Sequence, residues 1–170
     1  DQPRSRGLGD VYKRQIVDGP GLRFVVFVQG CPHHWEGCHN PETHDFSAGK
    51  LTTTDALYEM CMENPLCSGV TFSGGEPFCQ PEALYELGSR FKAAGKHLMC
   101  YSGWTFEELL KKSGREEYVG KLLSILDVLV DGRFDISKRS LSLLFRGSSN
   151  QRLIDVPTSL TNGEAVELPE

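Results

Sequence analysis

The chain has 170 residues, with Lys+Arg 18 against Asp+Glu 23 and a net charge of −5. This length is sufficient for one domain with a substantial core. The acidic balance, without a clustered basic stretch, argues against a nucleic-acid partner. The longest purely apolar run, residues 24–28, is too short to cross a bilayer, so no membrane partner is expected.

Six cysteines are present, but they lack the even, loop-rich spacing of a small secreted disulfide framework. A reducing, cytoplasmic location is therefore expected. Four of these cysteines are most simply interpreted as small buried hydrophobic side chains. They are Cys61, Cys67, Cys79 and Cys100.

The two ends of the chain differ from its middle in composition and hydrophobic patterning. Residues 1–15 are polar, aperiodic and rich in turn formers, so we expect a flexible tail or a stretch of non-native sequence. Residues 16–157 form the expected domain. The acidic stretch at residues 158–170 is expected to be a loose tail.

Short apolar runs alternate with helical patterns from residue 16 onward. The pattern predicts strands at residues 23–29, 69–72, 97–101 and 127–130. It predicts helices at residues 52–63, 81–95, 105–112 and 116–126, two of them beginning at threonine caps and one at Pro81. This alternation predicts an α/β fold of parallel βαβ units, either an open doubly wound sheet or an incomplete (β/α) barrel.

Glycine-rich or polar motifs follow each of the four predicted strands. In chain order they are a cysteine segment at residues 30–41, Ser73-Gly74-Gly75-Glu76-Pro77, Tyr101-Ser102-Gly103 and Asp131-Gly132-Arg133. Because the carboxyl ends of parallel strands share one edge, we expect these motifs to form one site.

The cysteine segment reads Gly-Cys-Pro-His-His-Trp-Glu-Gly-Cys-His-Asn-Pro. Cys31 and Cys38 stand where the outer cysteines of a Cys-x3-Cys-x2-Cys motif would stand, and Trp35 occupies the remaining, third-ligand position. Three thiolates can hold three irons of a [4Fe–4S] cube and leave the fourth iron open, which two thiolates alone do not achieve. A zinc site of two Cys and two His, or a simple turn, are the alternatives.

Two further motifs have polar character. In Ser73-Gly74-Gly75-Glu76-Pro77 the glycines permit a positive φ and close approach of a ligand, and Glu76 offers an acceptor to an ammonium group. An ordinary glycine turn is the alternative. Residues 146–152 are dense in hydrogen-bond formers, which indicates either a solvated loop or a loop covering a polar ligand.

Taken together, the motifs resemble those of the radical S-adenosylmethionine glycyl-radical activating enzymes, over residues 16–157. The resemblance is nearest to the branch that activates anaerobic ribonucleoside-triphosphate reductases, because of the motif at residues 146–151. The other motifs that carry it are Val17-Asp18-Gly19-Pro20-Gly21, Gly37-Cys38-His39-Asn40-Pro41, residues 73–77, residues 101–103 and residues 130–133.

The resemblance implies a partial (β/α) barrel of the radical SAM type, with mainly parallel strands and helices outside. It implies a [4Fe–4S] cluster held by Cys31 and Cys38, and S-adenosyl-L-methionine as the second cofactor. Residues expected to contact that cofactor are Gly37, Cys38, His39, Gly74, Gly75, Glu76 and Tyr101.

The implied activity is reductive cleavage of S-adenosylmethionine, which would generate a glycyl radical on the large subunit of the reductase. An electron donor such as flavodoxin or ferredoxin is implied as a second partner. No catalytic side chain is assigned, because the cofactors carry the chemistry. The roles of Asp18, Asp131 and residues 146–152 are not specified by the resemblance.

Trp35 departs from the family pattern. Indole has one N–H donor and no lone pair for a metal, so we expect this chain to bind a cluster poorly and its activity to be impaired. His34 offers an imidazole nitrogen one position earlier, but this shift re-aims the side chain. A catalytically dead relative that still binds the reductase, and a small zinc-binding module, are the alternative functions.

Overall fold

The computed structural model describes residues 4–5, 8–15, 22–28, 52–139 and 145–169. In these ranges the strands are β1 (Arg4–Ser5), β2 (Leu8–Gln15), β3 (Arg23–Val28), β4 (Thr52–Thr53), β5 (Gly69–Gly74), β6 (His97–Tyr101), β7 (Val128–Asp131) and β8 (Arg152–Asp155). The helices are α1 (Thr54–Met62), α2 (Pro81–Ala93), α3 (Phe106–Ser113), α4 (Glu117–Ile125) and α5 (Val156–Asn162). Short 3-10 helices cover Pro77–Cys79 and Ile136–Lys138.

The described strands form one large, mainly parallel sheet. Its order is β2-β3-β5-β6-β7-β8, and β1 pairs separately with β4. The central strands β3, β5, β6 and β7 are parallel neighbours. The flanking strands β2 and β8 run antiparallel to β3 and β7. The chain is therefore a mixed α/β protein.

Local sequence signals explain where the helices begin. The Thr53 hydroxyl accepts from the backbone N–H of Ala56 at the start of α1, at 3.1 Å. Thr105 accepts from the N–H of Glu108 at the start of α3, also at 3.1 Å. Each such cap satisfies a backbone donor that the helix itself leaves unpaired. The strands and helices predicted between residues 52 and 131 are confirmed, with ends displaced by a few residues.

The two faces of the sheet bury different side chains. Toward the helices, Phe72 and Leu98 pack in the main core with Leu84, Leu87 and Phe91 of α2. On the opposite face, a smaller cluster contains Met99, Val128, Val130 and Leu153. This division follows from the strand period, which sends successive side chains to opposite faces.

The first strand of the sheet lies where the sequence pattern predicts a flexible tail. Residues 8–15 form β2, which pairs with β3 in a register that places Tyr12 opposite Val26 and Gln15 opposite Arg23. The prediction rested on polar composition, whereas this pairing satisfies backbone N–H and C=O groups whatever the side chains are.

The other end of the chain also differs from the loose acidic tail that the sequence predicts. Helix α5 begins at Val156 and ends before Gly163, whose φ of 74° gives the left-handed cap. The backbone N–H of Leu168 donates to the carbonyl of Leu153 at 2.8 Å, so this stretch lies against β8. None of the helices in the described ranges is long and apolar enough to span a bilayer.

Candidate functional site

The carboxyl ends of the four parallel strands lie along one side of the sheet, which we call the carboxyl edge. In register, Val28 at the end of β3 lies opposite Gly74 at the end of β5. Asp131 at the end of β7 lies opposite Arg152, the first residue of the antiparallel β8. The motifs at residues 73–77, 101–103, 131–133 and 146–152 therefore meet at this edge.

Several predicted site residues lie outside the described residues. These are Asp18, Cys31, Trp35, Gly37, Cys38 and His39. Their assignments stay predictions. The described range 22–28 ends at Val28 of β3, three residues before Cys31 in the sequence.

The paired glycines form a bend directly against the end of β3. Gly74 has φ of 96°, in the left-handed region, and a Cβ there would lie 2.7 Å from both the backbone N and the carbonyl O of Val28. The N–H of Gly75 donates to that same carbonyl oxygen at 2.8 Å. Glycine is therefore required at position 74 on two grounds, backbone conformation and close approach. The bend lies beside the strand that leads into the cysteine segment.

Glu76 links two loops of the carboxyl edge. Its side chain is 1% exposed. One carboxylate oxygen accepts from the N–H of Gly103 at 2.7 Å and the other from the N–H of Phe78 at 3.0 Å. The Ser102 hydroxyl donates to the same carboxylate at 3.0 Å. Glu76 thus fixes the loop after β5 to the loop after β6, and its predicted contact with a cofactor ammonium stays a prediction.

Tyr101 connects the end of β6 to the loop before β8. Its hydroxyl donates to the carbonyl of Phe145 at 2.7 Å. Phe145 has φ of 59°, which is uncommon for a residue other than glycine and fixes the course of the chain into the 146–152 loop. The predicted role of Tyr101 in cofactor binding is not tested by this bond.

The loop at residues 146–152 is folded onto the end of β7. The Gln151 side-chain oxygen accepts from the N–H groups of Gly147 at 2.8 Å and Ser148 at 3.2 Å. Its amide nitrogen donates to the carbonyl of Gly132 at 3.2 Å. Ser148 and Gln151 are both buried. This burial contradicts the interpretation of these two residues as part of a solvated loop.

A charged cluster joins β7, β8 and α3. Asp131 is fully buried and accepts from the N–H of Phe106 at 2.7 Å, at the start of α3. Arg152 donates to Asp131 through Nε at 2.9 Å and through Nη2, and it also contacts the Glu107 carboxylate at 2.7 Å. Hydrogen bonds to Asp131 and then Glu107 raise the pKa of Arg152. The bond to Arg152 lowers the pKa of Glu107.

Sequence reasoning did not identify Glu107 as a member of this edge, and it did not identify the contacts of Ser102 and Arg152, which lie inside two of the predicted motifs. Arg152 is 21 residues from Asp131 and 45 from Glu107 along the chain. No local spacing marks such a pair. Ser102 stood inside the Tyr101-Ser102-Gly103 motif, so position after a strand was a usable signal for it.

The described cysteines do not provide a metal site at this edge. Burial raises the pKa of the Cys100 thiol well above its ordinary value, and the nearby Glu76 adds to that shift. A neutral buried thiol is a poor metal ligand. Across the described ranges, no group of three or more His, Cys, Asp and Glu side chains converges on a metal position.

Comparison with a family model defines the class of protein. Residues 17–154 match the model described as a 4Fe-4S single cluster domain. The chain belongs to this family. The match covers the carboxyl edge and the cysteine segment together.

The chain is also similar to curated proteins of a narrower kind. It is 32% identical over 149 residues to the anaerobic ribonucleoside-triphosphate reductase-activating protein of Enterobacteria phage T4, covering 84% of this chain and 90% of that protein. It is 33% identical over 150 residues to the protein of the same name from Haemophilus influenzae, covering 82% and 92%. It is 41% identical over 105 residues to the pyruvate formate-lyase-activating enzyme of Clostridium pasteurianum, covering 56% and 44%.

The groups that this chain offers to a cluster agree only in part with the [4Fe–4S] cluster that the family name implies. The glycine bend provides bare backbone beside the strand that leads to the cysteines. The segment itself supplies two thiols, Cys31 and Cys38, with Trp35 between them. Because indole cannot ligate iron, the set is one thiolate short of the three that hold a cube with one open iron.

Proposed function

We propose that this chain is a radical S-adenosylmethionine enzyme that activates an anaerobic ribonucleoside-triphosphate reductase. The activity would be the generation of a glycyl radical through reductive cleavage of S-adenosylmethionine at a [4Fe–4S] cluster. The similarity to reductase-activating proteins carries this proposal, because it extends over 82–84% of this chain and 90–92% of those proteins.

The strand order supports a partial (β/α) barrel as the finer description of the fold. The parallel strands follow one another as β3-β5-β6-β7, without a reversal of order. Right-handed crossovers between strands in sequential order place all the helices on one side of the sheet. A doubly wound sheet instead reverses its order at a switch point. We assign residues 16–157 to this radical SAM domain, with β2 added at its edge.

The carboxyl edge supplies the surface on which the cofactor would lie. We assign to the cofactor the backbone of Gly74 and Gly75 and the side chains of Glu76 and Tyr101. The contacts of Glu76 with Ser102 and Gly103 would hold the glycine bend in position before any ligand arrives. Gly37, Cys38 and His39 complete the assignment from the cysteine segment.

The proposed protein partner is the large subunit of an anaerobic ribonucleoside-triphosphate reductase. An electron donor such as flavodoxin or ferredoxin is the second proposed partner. The cytoplasmic location expected from the cysteine pattern stays a prediction. With Trp35 in place of a third cysteine, this sequence supplies one thiolate fewer than the three that hold a cube with one open iron.

Restoring the missing thiolate tests the proposal. The Trp35→Cys and Trp35→Ser variants and the unaltered chain are incubated anaerobically with iron and sulfide. We expect Trp35→Cys to take up about four irons per chain, as a [4Fe–4S] cluster requires, and the other two to take up much less. Serine is the matched control, because it removes the indole without providing a thiolate.

Activity is then measured on the reconstituted Trp35→Cys variant. With dithionite as reductant, it should cleave S-adenosylmethionine and give a glycyl-radical signal in electron paramagnetic resonance when the reductase is added. If Trp35→Cys binds no iron, the proposal is wrong. Stoichiometric zinc uptake without iron would identify a zinc-binding module, and reductase binding without cluster uptake would identify a dead relative.

A further inference from the structure

Two buried cysteines lie close together at the amino ends of the parallel strands, the edge of the sheet opposite to the carboxyl edge. The Sγ atoms of Cys61 and Cys67 are 3.8 Å apart. Cys61 lies in the last turn of α1, and Cys67 precedes the first residue of β5 by two positions. Their exposed fractions are 1% and 5%. Six residues of β5 separate this amino edge from the glycine bend, a distance of about 17 Å along the strand.

A small cavity lies beside these two cysteines. Its volume is about 30 Å³, and both cysteines line it together with Arg23, Met60, Glu63 and Asn64. A space of this size accommodates a molecule about as large as water. Glu63 is exposed and Asn64 is half-buried, so the cavity lies directly beneath the turn that joins α1 to β5.

A fixed positive charge lies on the wall of the same cavity. Arg23 is 1% exposed, and its guanidinium donates to the Thr71 hydroxyl at 2.8 Å and to the Val70 carbonyl at 2.7 Å. Burial lowers the pKa of Arg23 to about 10, so its guanidinium stays charged at neutral pH beside Cys67. Thiolates beside an arginine are the reactive form of cysteine toward oxidants.

The second cysteine is suited to a different role. Burial raises the pKa of the Cys61 thiol to about 12, and the adjacent Cys67 adds to this shift. Cys61 is therefore a neutral thiol at neutral pH. The Cys67 thiol also donates to the carbonyl of Gly69 at 3.2 Å, which holds its sulfur near the start of β5.

We propose that Cys61 and Cys67 form a peroxide-sensitive dithiol that closes to a disulfide. The Cys67 thiol first loses its proton, the resulting thiolate attacks one oxygen of hydrogen peroxide, the O–O bond breaks, and the released hydroxide takes up that proton to leave as water. Cys67 is thereby oxidised to a sulfenic acid. The Cys61 sulfur then attacks the Cys67 sulfur, the S–O bond breaks, and a second water leaves with the Cys61 proton. Two thiols have lost two electrons to one peroxide.

The disulfide would close the short turn at residues 62–66. Formation requires the two sulfurs to approach from 3.8 Å to a bond length of about 2.05 Å. The turn between them lies at the surface, where Leu66 is 76% exposed. The product would join the end of α1 covalently to the start of β5.

Peptide mapping of the full chain tests the proposal. Anaerobically reduced protein receives one equivalent of hydrogen peroxide, remaining thiols are alkylated, and the denatured chain is cleaved after glutamate. Cleavage after Glu59 and Glu63 places Cys61 and Cys67 in separate fragments. Because the Glu76–Pro77 bond resists cleavage, a second digestion after aromatic residues, at Phe72, separates Cys67 from Cys79. We expect the first two fragments to be disulfide-linked and to separate on reduction. Cys79, which is half-buried, serves as the internal control. Its thiol should be oxidised at least about tenfold more slowly than that of Cys67.

Two variants separate the roles of the cysteines. In Cys61→Ser, dimedone should trap a sulfenic acid at Cys67; in Cys67→Ser, no oxidation product should form at Cys61. The proposal is overturned if peroxide leaves both thiols free while Cys79 is oxidised, or if Cys67 proceeds to sulfinic acid in the unaltered chain. The test does not depend on cluster binding, so its outcome is independent of the Trp35→Cys experiment.

Discussion

Gly74 and Gly95 have the same unusual backbone conformation in different surroundings. Their φ angles are 96° and 78°, both in the left-handed region. A Cβ at Gly74 would lie 2.7 Å from backbone atoms of Val28, whereas a Cβ at Gly95 would meet nothing within 4 Å. The two positions therefore separate the cost of a left-handed alanine from the cost of a steric clash at the candidate site.

Alanine substitution at the two glycines should give clearly different losses of stability. Gly95→Ala should lower the free energy of unfolding by about 1 kcal/mol, the cost of the left-handed conformation for a side chain with Cβ. Gly74→Ala should lower it by about 3 kcal/mol or more, because the ends of β3 and β5 must also separate. Urea unfolding measures both. Equal losses would show that the close approach of Gly74 to Val28 is not maintained in solution.

The partners of Glu76 show why some of the site could not be predicted from the sequence. The motif placed Glu76 at the end of a strand, and this position was sufficient to assign it to the carboxyl edge. Two of its partners, Ser102 and Gly103, are 26 and 27 residues away and belong to the next loop. Only the parallel register of β5 and β6 brings these loops together, and no local pattern specifies the contact.

Helix α3 is fixed to the sheet at its first turn. Thr105 provides the cap, and the buried Asp131 accepts from the N–H of Phe106. A carboxylate near the positive end of a helix is favourable, and here Arg152 balances its charge. Arg152 also reaches Glu107 on the outer side of α3. One guanidinium thus joins β7, β8 and α3.

Removing the charge of Arg152 should destabilise the protein more than removing that of Glu107. Arg152→Leu leaves Asp131 buried at 1% exposure without its cation, so we expect a loss of about 3 kcal/mol or more in the free energy of unfolding. Glu107 is 57% exposed, so Glu107→Gln should cost about 1 kcal/mol or less. Chemical denaturation at neutral pH measures both variants, and similar losses would contradict the burial of the Asp131 pair.

The difference in free energy of unfolding between the unaltered chain and Glu107→Gln should depend on pH, which provides a second control. Arg152 lowers the pKa of Glu107 in the folded state. The Glu107 carboxylate therefore contributes fully to the free energy of unfolding above its unfolded pKa of about 4.3. As the pH falls through the lower folded pKa, both states become protonated and the difference from the variant should disappear. A difference that grows on acidification would contradict the assigned ion pair.

The predicted elements fall into two groups according to how local their signals are. Capped helices such as α1 and α3, and apolar strands such as β5 and β6, were predictable because caps and hydrophobic periods act within a few residues. Strand β8 has four residues, of which only Leu153 and Ile154 are buried, too short a pattern to recognise. Strand β2 was missed because its polar composition masks a backbone pairing.

The sheet depends on a strand that the composition of the chain does not reveal. β2 pairs with β3 from Arg23 to Val26 and again at Val28, with an irregularity between Leu8 and Tyr12. Phe24, Val25, Val26 and Val28 of β3 are all buried. Without β2, the backbone of β3 would present an unpaired edge of apolar residues, which is a template for association with another chain.

Deletion of residues 1–15 should therefore both destabilise the protein and cause it to self-associate. We expect a loss of about 3 kcal/mol in the free energy of unfolding, from several ladder hydrogen bonds at roughly 1 kcal/mol each. Urea unfolding measures the loss, and light scattering after size-exclusion chromatography measures association. Deletion of residues 1–7 is the matched control, since it removes β1 and retains β2, and it should leave the molecule monodisperse. If both deletions behave like the full chain, residues 8–15 are a tail after all, and β3 is the true edge of the sheet.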